Sequence, residues 1–384
     1  MTWEKFEIGN FVELRQGLAI NKSTQKYLSN EVTYLPLLRI GDMKDGNFNV
    51  FINDSVPEKF IAKESDIIYT RTGKVGLVFR KQYGVIHNNC FTVSSKDESI
   101  LIQEFLYYVL QEKSFYEEAL SRATGAAQPD LPHGAFSSIE IFLPPIDKQK
   151  NIVEILNAYN DLIENNQKQI KLLEEAAQRL YKEWFVDLHF PGYETTPIID
   201  GVPEGWKMGK LEEIIIYHDK RRKPLSSLER DTFKGEYRYF GAAGILDYVA
   251  DYLFDGTYLL FGEDGTVITD QQTPVLQYVT GKFWVNNHAH VLTGKSYYTT
   301  EYLYMMFKNM KVSDIVTGVA QPKISQARLS GKKILIPKAK IVIAFQEKVE
   351  NIFKCILNLE KKNEFAKEAR DRLIPKLMSG ELEV

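Results

Sequence analysis

Cysteine is nearly absent: the 384 residues contain two, Cys90 and Cys355. Their separation gives neither metal-ligand nor redox spacing, so both are expected to be buried thiols. Also absent is any apolar run of about eighteen residues, which excludes a membrane-spanning helix. The opening MTWEKFEIGN places Glu4, Lys5 and Glu7 where a signal peptide needs an apolar stretch, so the expected location is the cytoplasm. Neither charge sign is in excess. The net charge is −3, with 15 basic and 18 acidic side chains over residues 1–146 and 19 and 17 over residues 191–340. Affinity for a polyanion must therefore come from local clusters, of which DKRRKP (219–224) is the clearest.

Catalytic signatures are missing as well. An adenine methyltransferase needs an [DN]PPY tetrapeptide to hold the target amine, and the nearest match is LPPI (143–146). Pro129-Asp130 is not followed by the Glu-x-Lys of a metal-dependent nuclease. RTGKVG (71–76) lacks the GxxxxGK[ST] order of a phosphate loop. His288 and His290 would share one face of a strand, but no third ligand is in view, and strand packing or a hydrogen bond is the expected role. No metal or cofactor site is expected in this chain. It reads as one that binds rather than catalyses.

A 44% hydrophobic and 26% charged composition is that of a folded globular chain, so disorder is not expected. Its main feature is a repeat. TGAAQPDL (124–131) returns as TGVAQPKI (317–324), 193 positions later. Gly73 in IIYTRTGKVG aligns with Gly265 in LLFGEDGTVI at an offset of 192, and HNNCFTV (87–93) falls on VNNHAHV (285–291) at 198. Leu143-Pro144 meets Ile336-Pro337 at 193, Gln149 meets Gln346 at 197, and Arg179-Leu180 meets Arg372-Leu373 at 193. Matches in one order with small drifts mean a duplicated unit. Each copy opens on a tryptophan segment and continues through short β-rich runs, two short helical patterns and the TG-x-AQP loop. A final strand and one long helix complete it.

In the long helices a 4-3 spacing selects Ile152, Leu156, Tyr159, Ile163, Asn166, Ile170, Leu173, Ala177, Leu180 and Trp184. The same spacing runs from Phe345 to Leu377 in the second copy, with Asn363 at the place of Asn166. Heptads sustained this long predict a coiled coil, with helices of about 35–40 residues spanning roughly 50–60 Å. The fold class is α+β: two homologous β-rich α/β domains separated by a long antiparallel two-helix coiled coil, related by a pseudo-twofold axis. The expected segments are a first domain at 1–146, a central helix at 147–190, a second domain at 191–340 and a C-terminal helix at 341–384. Asn166 and Asn363, near the helix middles, are expected to approach each other and set the register. Apolar residues beyond the seam, such as Ile155, Leu162 and Phe353, are expected to leave a stripe for partner subunits.

The stretch LPPIDKQKNIVEILN, the join RLYKEWFVDLHFPGYE and the restart VPEGWKMGKLEEI resemble the central region of type I restriction-modification specificity subunits. The TG-x-AQP loops followed by a strand ending in Pro are similar to the family's pattern before each long helix. The family usually carries Glu before the Gln that opens each helix; here Lys148 and Phe345 stand there. The resemblance implies two target recognition domains, each reading one part of a split sequence in double-stranded DNA, and helices that dock two modification (methyltransferase) subunits. S-adenosylmethionine would be used by those subunits, and ATP and magnesium by the restriction (endonuclease/translocase) subunits that complete the complex. A coiled-coil adaptor displaying two protein-binding domains is the alternative reading.

Loops that differ between the copies are expected to read DNA. The candidates are Arg15, Lys22, Arg71 and Lys74 in the first copy, and Lys220, Arg221, Arg222, Lys223, Glu263 and Lys323 in the second. Arg suits bidentate contact with guanine and Lys neutralises phosphate, while Glu263 has two readings, an acceptor from a cytosine amine or a carboxylate that stabilises its turn. Gln128 and Gln321 are expected to support the loop.

Overall fold

The computed structural model describes residues 3–125, 127–318 and 320–384. The variable position of each TG-x-AQP loop, Ala126 and Val319, lies outside the described residues. The chain divides into two compact units, residues 1–164 with 362–384, and residues 165–361.

The first unit is built on a four-stranded antiparallel sheet in the order Val12–Gln16, Cys90–Ser95, Ile67–Thr70, Val78–Phe79. All four residues of Ile67–Thr70 are buried, as in a strand covered on both faces. The period-2 alternation assigns those faces. Ile67 and Tyr69 join Phe91, Phe105, Phe115 and Phe136 under the helices Gln103–Gln111 and Lys113–Arg122. Ile68 and Cys90 turn the other way, onto Leu38, Ala62 and Ile86. Those three belong to a small second sheet, where Gly84–Ile86 pairs parallel with Leu37–Leu38 and antiparallel with Ile61–Ala62. Glu4–Glu7 pairs with Glu140–Leu143 beside the helix root.

The second unit repeats this plan. Its main sheet runs Ile215–Tyr217, Ala289–Gly294, Tyr258–Gly262, Leu276–Val279. Lys282–Val285 pairs parallel with Lys234–Phe240 and antiparallel with Phe254–Asp255, and Lys207–Lys210 pairs with Lys333–Ile336. The copies part after the first strand of the small sheet. The first unit continues into a one-turn helix, Ile40–Asp45, whereas the second turns back in a hairpin, adding Ile245–Val249. Hydrogen bonding also shifts one alignment. The Asn89 carbonyl accepts from the amides of Arg71 and Thr72, and the His288 carbonyl accepts from those of Glu263 and Asp264. Asn89 thus corresponds to His288, one residue beyond the offset of the Asn-Asn pairs.

The long helices are Ile146–Tyr181, of 36 residues, and Ala339–Met378, of 40. Within each unit the segments of the two run antiparallel. In the first unit Lys148 Nζ donates to the Val384 carbonyl. Arg370 Nη1 donates to Asn160 Oδ1 at 2.7 Å, and Asn363 Nδ2 to the Ile163 carbonyl at 3.4 Å. In the second unit Phe345 packs on Tyr181, Trp184 and Phe185 at ring distances of 5.8, 6.0 and 5.1 Å. Asn166, in the second unit, and Asn363, in the first, are both buried.

The heptad residues serve more than a coiled-coil seam. Ile152 and Leu156 belong to the core of the first unit, and Phe345, Val349 and Phe353 to that of the second. Phe353, read as surplus, is buried against Tyr278 and Tyr304, and Ile155 packs on the first core. Leu162 and Leu172 remain exposed on the first helix and Phe365 on the second. Cys90 is buried, which pushes its thiol pKa up to about 12. Cys355 is exposed, contrary to expectation, because it lies on the outward side of its helix between the buried Phe353 and Ile356.

At the first helix root Lys148, in place of Glu, reaches the Val384 carbonyl, and Gln149 beside it binds the backbone. Its Oε1 accepts from the Ile102 amide at 2.9 Å, and its Nε2 donates to the carbonyls of Ile100 and Pro144 at 2.8 and 2.9 Å. Phe345, the other departure, fills the aromatic core instead. Gln346 differs from Gln149, since its buried Nε2 has no hydrogen-bond partner among the described residues. Gln149→Leu should therefore destabilise the chain by about 2–4 kcal/mol through orphaned backbone groups. Gln346→Leu should be near neutral or stabilising. Urea unfolding of the two variants checks the contrast.

Candidate nucleic-acid interface

One end of each main sheet gathers the loops. In the first unit Cys90 stands opposite Thr70, and Phe91 opposite Gln16, so the strand Cys90–Ser95 begins where Ile67–Thr70 and Val12–Gln16 end. The Leu18 amide donates to the Ile86 carbonyl and the His87 amide to that of Leu38, bringing the small sheet to the same end. The 71–76 loop leaves from here. The TG-x-AQP loop joins it: Gly73 N donates to Pro129 O at 2.8 Å and Leu131 N to Arg71 O at 3.0 Å. The loop's neck is closed by Thr124 and Asp130, each donating its amide to the other's carbonyl at 2.8 Å. Gly125 takes φ +93°, and a Cβ there would stand 2.8 Å from the Gln128 carbonyl oxygen, so the repeated glycine is a steric requirement.

The second unit has the same geometry. Thr317 and Lys323 close the neck at 2.8 and 2.7 Å, Gly265 N donates to Pro322 O at 3.0 Å, and Ile324 N to Glu263 O at 2.9 Å. Gly318 has φ +83°.

The side chains placed on this frame differ. Arg71 makes a two-pronged ion pair with Asp130 (Nε–Oδ1 3.1 Å, Nη2–Oδ2 2.6 Å), and its Nη1 donates to Gln16 Oε1 at 3.0 Å. Thr72 Oγ1 adds a 2.5 Å bond to the same carboxylate. Arg71's hydrogen bonding, helped by Thr72 and opposed by burial, holds the Asp130 carboxyl below the usual range. At Arg71's place the second unit has Glu263. It accepts from Arg222 Nη1 at 2.6 Å, with Lys323 Nζ at 3.6 Å and His290 Nδ1 at 3.5 Å. Beside it, Asp219 accepts from the Val291 amide at 2.9 Å and lies 2.7 Å from His290 Nδ1. Burial alone would raise the Asp219 carboxyl, but His290, the Val291 amide and Arg222 together hold it low.

His290 is thus a packed and hydrogen-bonded strand residue, its Nε2 2.9 Å from the Ile324 carbonyl. Where the sequence showed two histidines without a third ligand, the fold brings one possible ligand atom each from Asp219, Glu263 and His290 within 4.8 Å of one another, and His288 is not in that group. The guanidinium of Arg222 already lies between those carboxylates, 3.5 Å from Asp219 and 2.6 Å from Glu263.

Eight of the sequence candidates gather at these loop clusters, two in the first unit and six in the second. Lys74, Lys220, Lys223 and Lys323 are exposed. Arg221 lies over the Phe254 ring at 4.5 Å and donates to the Leu253 carbonyl at 2.6 Å. Arg71, Arg222 and Glu263 are turned inward, onto protein partners. Arg15 joins neither cluster, being paired with Asp66 at 2.5 Å, and Lys22 is exposed on a separate turn. Gln128 and Gln321 are exposed, and among the described residues neither amide has a side-chain hydrogen bond supporting the loop. Sequence reasoning missed Asp130, Gln16, Asp219 and His290 as partners of the charged loops.

The sequence profile described as "Type I restriction modification DNA specificity domain" matches residues 1–175 and 203–372, and each match holds one loop cluster. The chain belongs to this type I restriction-modification DNA specificity family. Among its relatives, the type I restriction enzyme MjaIX specificity subunit of Methanocaldococcus jannaschii is 24% identical, across 100% of this chain and 94% of its own length. A putative type I restriction enzyme specificity subunit of Haemophilus influenzae, S.HindORF215P, is 34% identical across 36% of this chain and 35% of its own. The fold is similar to that of the type I restriction-modification system S subunit from M. genitalium. That structure has a TM-score of 0.56 at 16% identity, with 98% of this chain and 96% of that chain covered. The chain is a type I specificity subunit with two DNA-recognition domains, a non-catalytic component of its complex. None of its described helices is long and apolar enough to cross a membrane.

Removing the Arg222 guanidinium would leave Glu263 and Asp219 facing each other part-buried. Arg222→Met should cost about 3 kcal/mol in urea unfolding, well above Arg221→Met, whose head group reaches solvent. Asp219 and Asp130 both have lowered pKa values, so their stabilisation is full above the ordinary Asp value of about 4. It is lost as pH falls below that value.

Proposed function

We propose that each unit reads one part of a split site in double-stranded DNA, through the loops gathered at the end of its main sheet. The observation that carries this reading is one backbone frame, repeated, bearing different exposed cations: Lys74 in the first unit, and Lys220, Lys223 and Lys323 in the second. A shared frame presents the loops alike, while different side chains give each half-site its own preference. Exposed lysines neutralise phosphate, and base edges are left to the loop tips and to the elements that differ between copies. Arg71 and Arg222, held by carboxylates, support those loops rather than reach for bases.

Functionally the segments are 1–146 and 191–340 for reading and 147–190 and 341–384 for spacing and docking. Leu162 and Leu172 on one helix and Phe365 on the other, 45%, 64% and 58% exposed, suit coverage by two modification subunits. Those subunits would bring S-adenosylmethionine, and restriction subunits would bring ATP and magnesium, all in the cytoplasm where the DNA is. Asn363 and Asn166 set helix register, since sliding would carry the Asn363 amide off the Ile163 carbonyl and leave it among apolar neighbours.

Selection from a pool of random duplexes, with the modification subunit present, should enrich two short sequences at a fixed separation. No enrichment at moderate salt would favour the adaptor reading. Lys220→Ala with Lys223→Ala should weaken binding by a similar factor on all sequences. It should also reduce the slope of log K against log salt by about 1–2.

A further inference from the structure

The charges at the loop frame reverse together. Arg71 corresponds to Glu263, and Asp130 to Lys323, at offsets of 192 and 193. Each pair joins the same two segments, the loop that leaves the second strand of the main sheet and the last residue of the TG-x-AQP neck. Backbone bonding there is the same in both units: Gly73 to Pro129 and Leu131 to Arg71, against Gly265 to Pro322 and Ile324 to Glu263. A cation–carboxylate pair therefore survives with its polarity inverted.

The closeness of the two pairs is unequal, and the difference is informative. Arg71 meets Asp130 at 2.6 Å and in two prongs, whereas Lys323 stands 3.6 Å from Glu263. A lysine is a point charge and lacks the planar fork that matches a carboxylate. In the second unit the close contact comes from Arg222, on the DKRRKP segment, which reaches Glu263 through Nη1 alone at 2.6 Å and turns Nη2 towards Asp219 at 3.5 Å. Gln16, which stands opposite Phe91 as Asp219 stands near His290, occupies that side of the frame in the first unit and accepts from Arg71. Most of the TG-x-AQP loop between neck and tip is exposed, so its position depends on these few bonds and not on core packing.

We propose that Arg71 with Asp130, and Glu263 with Arg222 and Lys323, are positioning residues that clamp each TG-x-AQP loop against its neighbouring loop. Charge complementarity is required, and either polarity serves. The proposal rests on the DNA-reading role of these loops. It adds that the DKRRKP segment of the second unit is coupled to its TG-x-AQP loop through Glu263, as Gln16 is coupled to the first unit's loop through Arg71.

The test transplants the second unit's pair into the first. Arg71→Glu, Asp130→Lys and the double variant are prepared in complex with the modification subunit. Hydrogen exchange is read at the Gly73 and Leu131 amides, and sequence preference is read at both half-sites. Each single change should speed exchange at those two amides at least tenfold and flatten preference at one half-site only. The double variant should restore both readouts to within about threefold. The proposal is overturned if the double variant is as impaired as the singles, or if the singles change neither readout. Unfolding of the first unit would instead speed exchange throughout that unit's core amides, not at Gly73 and Leu131 alone, and charge reversal would not rescue it. Should the single variants not fold, Asp130→Asn, which keeps shape and removes charge, is held to the same exchange criterion. If the unaltered chain selects no split sequence, the DNA-reading role falls, and the exchange measurement still decides the clamp.

Discussion

Each globular core is closed by the root of one long helix and the far end of the other. In the first unit Ile152 and Leu156 enter from the root of the first helix, and Leu377 and Met378 from the last turns of the second, all buried in one cluster. In the second unit the places are taken by Phe345, Val349 and Phe353 from one root and by Ala177, Tyr181 and Trp184 from the other end. Full burial of a large apolar side chain is worth about 1.5–3 kcal/mol, so the helices are parts of both cores and not spacers attached to finished domains. Gln149 follows from this constraint. A helix whose root is core must satisfy the backbone it displaces, and one buried amide bonds to three main-chain groups there.

Much of this was legible in the sequence. Repeat offsets that drift by only a few residues give the duplicated unit, and the heptads give the helices with their lengths. Heptad spacing does not tell a seam from a core face. An apolar stripe at that period can be buried against a second helix or against strands, and here Phe353 and Ile155 meet aromatic and aliphatic side chains of their own unit. The hairpin 234–249 and the one-turn helix 40–45 are also opaque. The helix is six residues long, too short for a helical periodicity to show in the sequence.

The loop residues show where composition runs out. Arg71, Arg222 and Lys74 are all cations in loops that differ between copies, and nothing local separates them. Burial and partner decide: Arg71 and Arg222 are turned onto carboxylates, and Lys74 is left in solvent. One sequence signal did exist in the alignment. Arg71 becomes Glu263 while Asp130 becomes Lys323, two sign changes that preserve the sum, which is what contacting charges require of one another. Isolated solvated charges carry no such constraint. Asp219 and His290 had no comparable signal, since their counterparts Gln16 and Phe91 share neither charge nor size with them.

The discontinuity of the first unit, residues 1–164 with 362–384, has a consequence for biosynthesis. Chains are made from the N-terminus, and domains generally fold as units once complete. The second unit is continuous and can close as soon as residue 361 leaves the ribosome. The first unit emerges earlier but lacks Leu373, Ile374, Leu377 and Met378 until the segment from residue 362 onward is made. The domain synthesised first is the one finished last, and until then its unfilled core is apolar surface open to solvent and to chaperones.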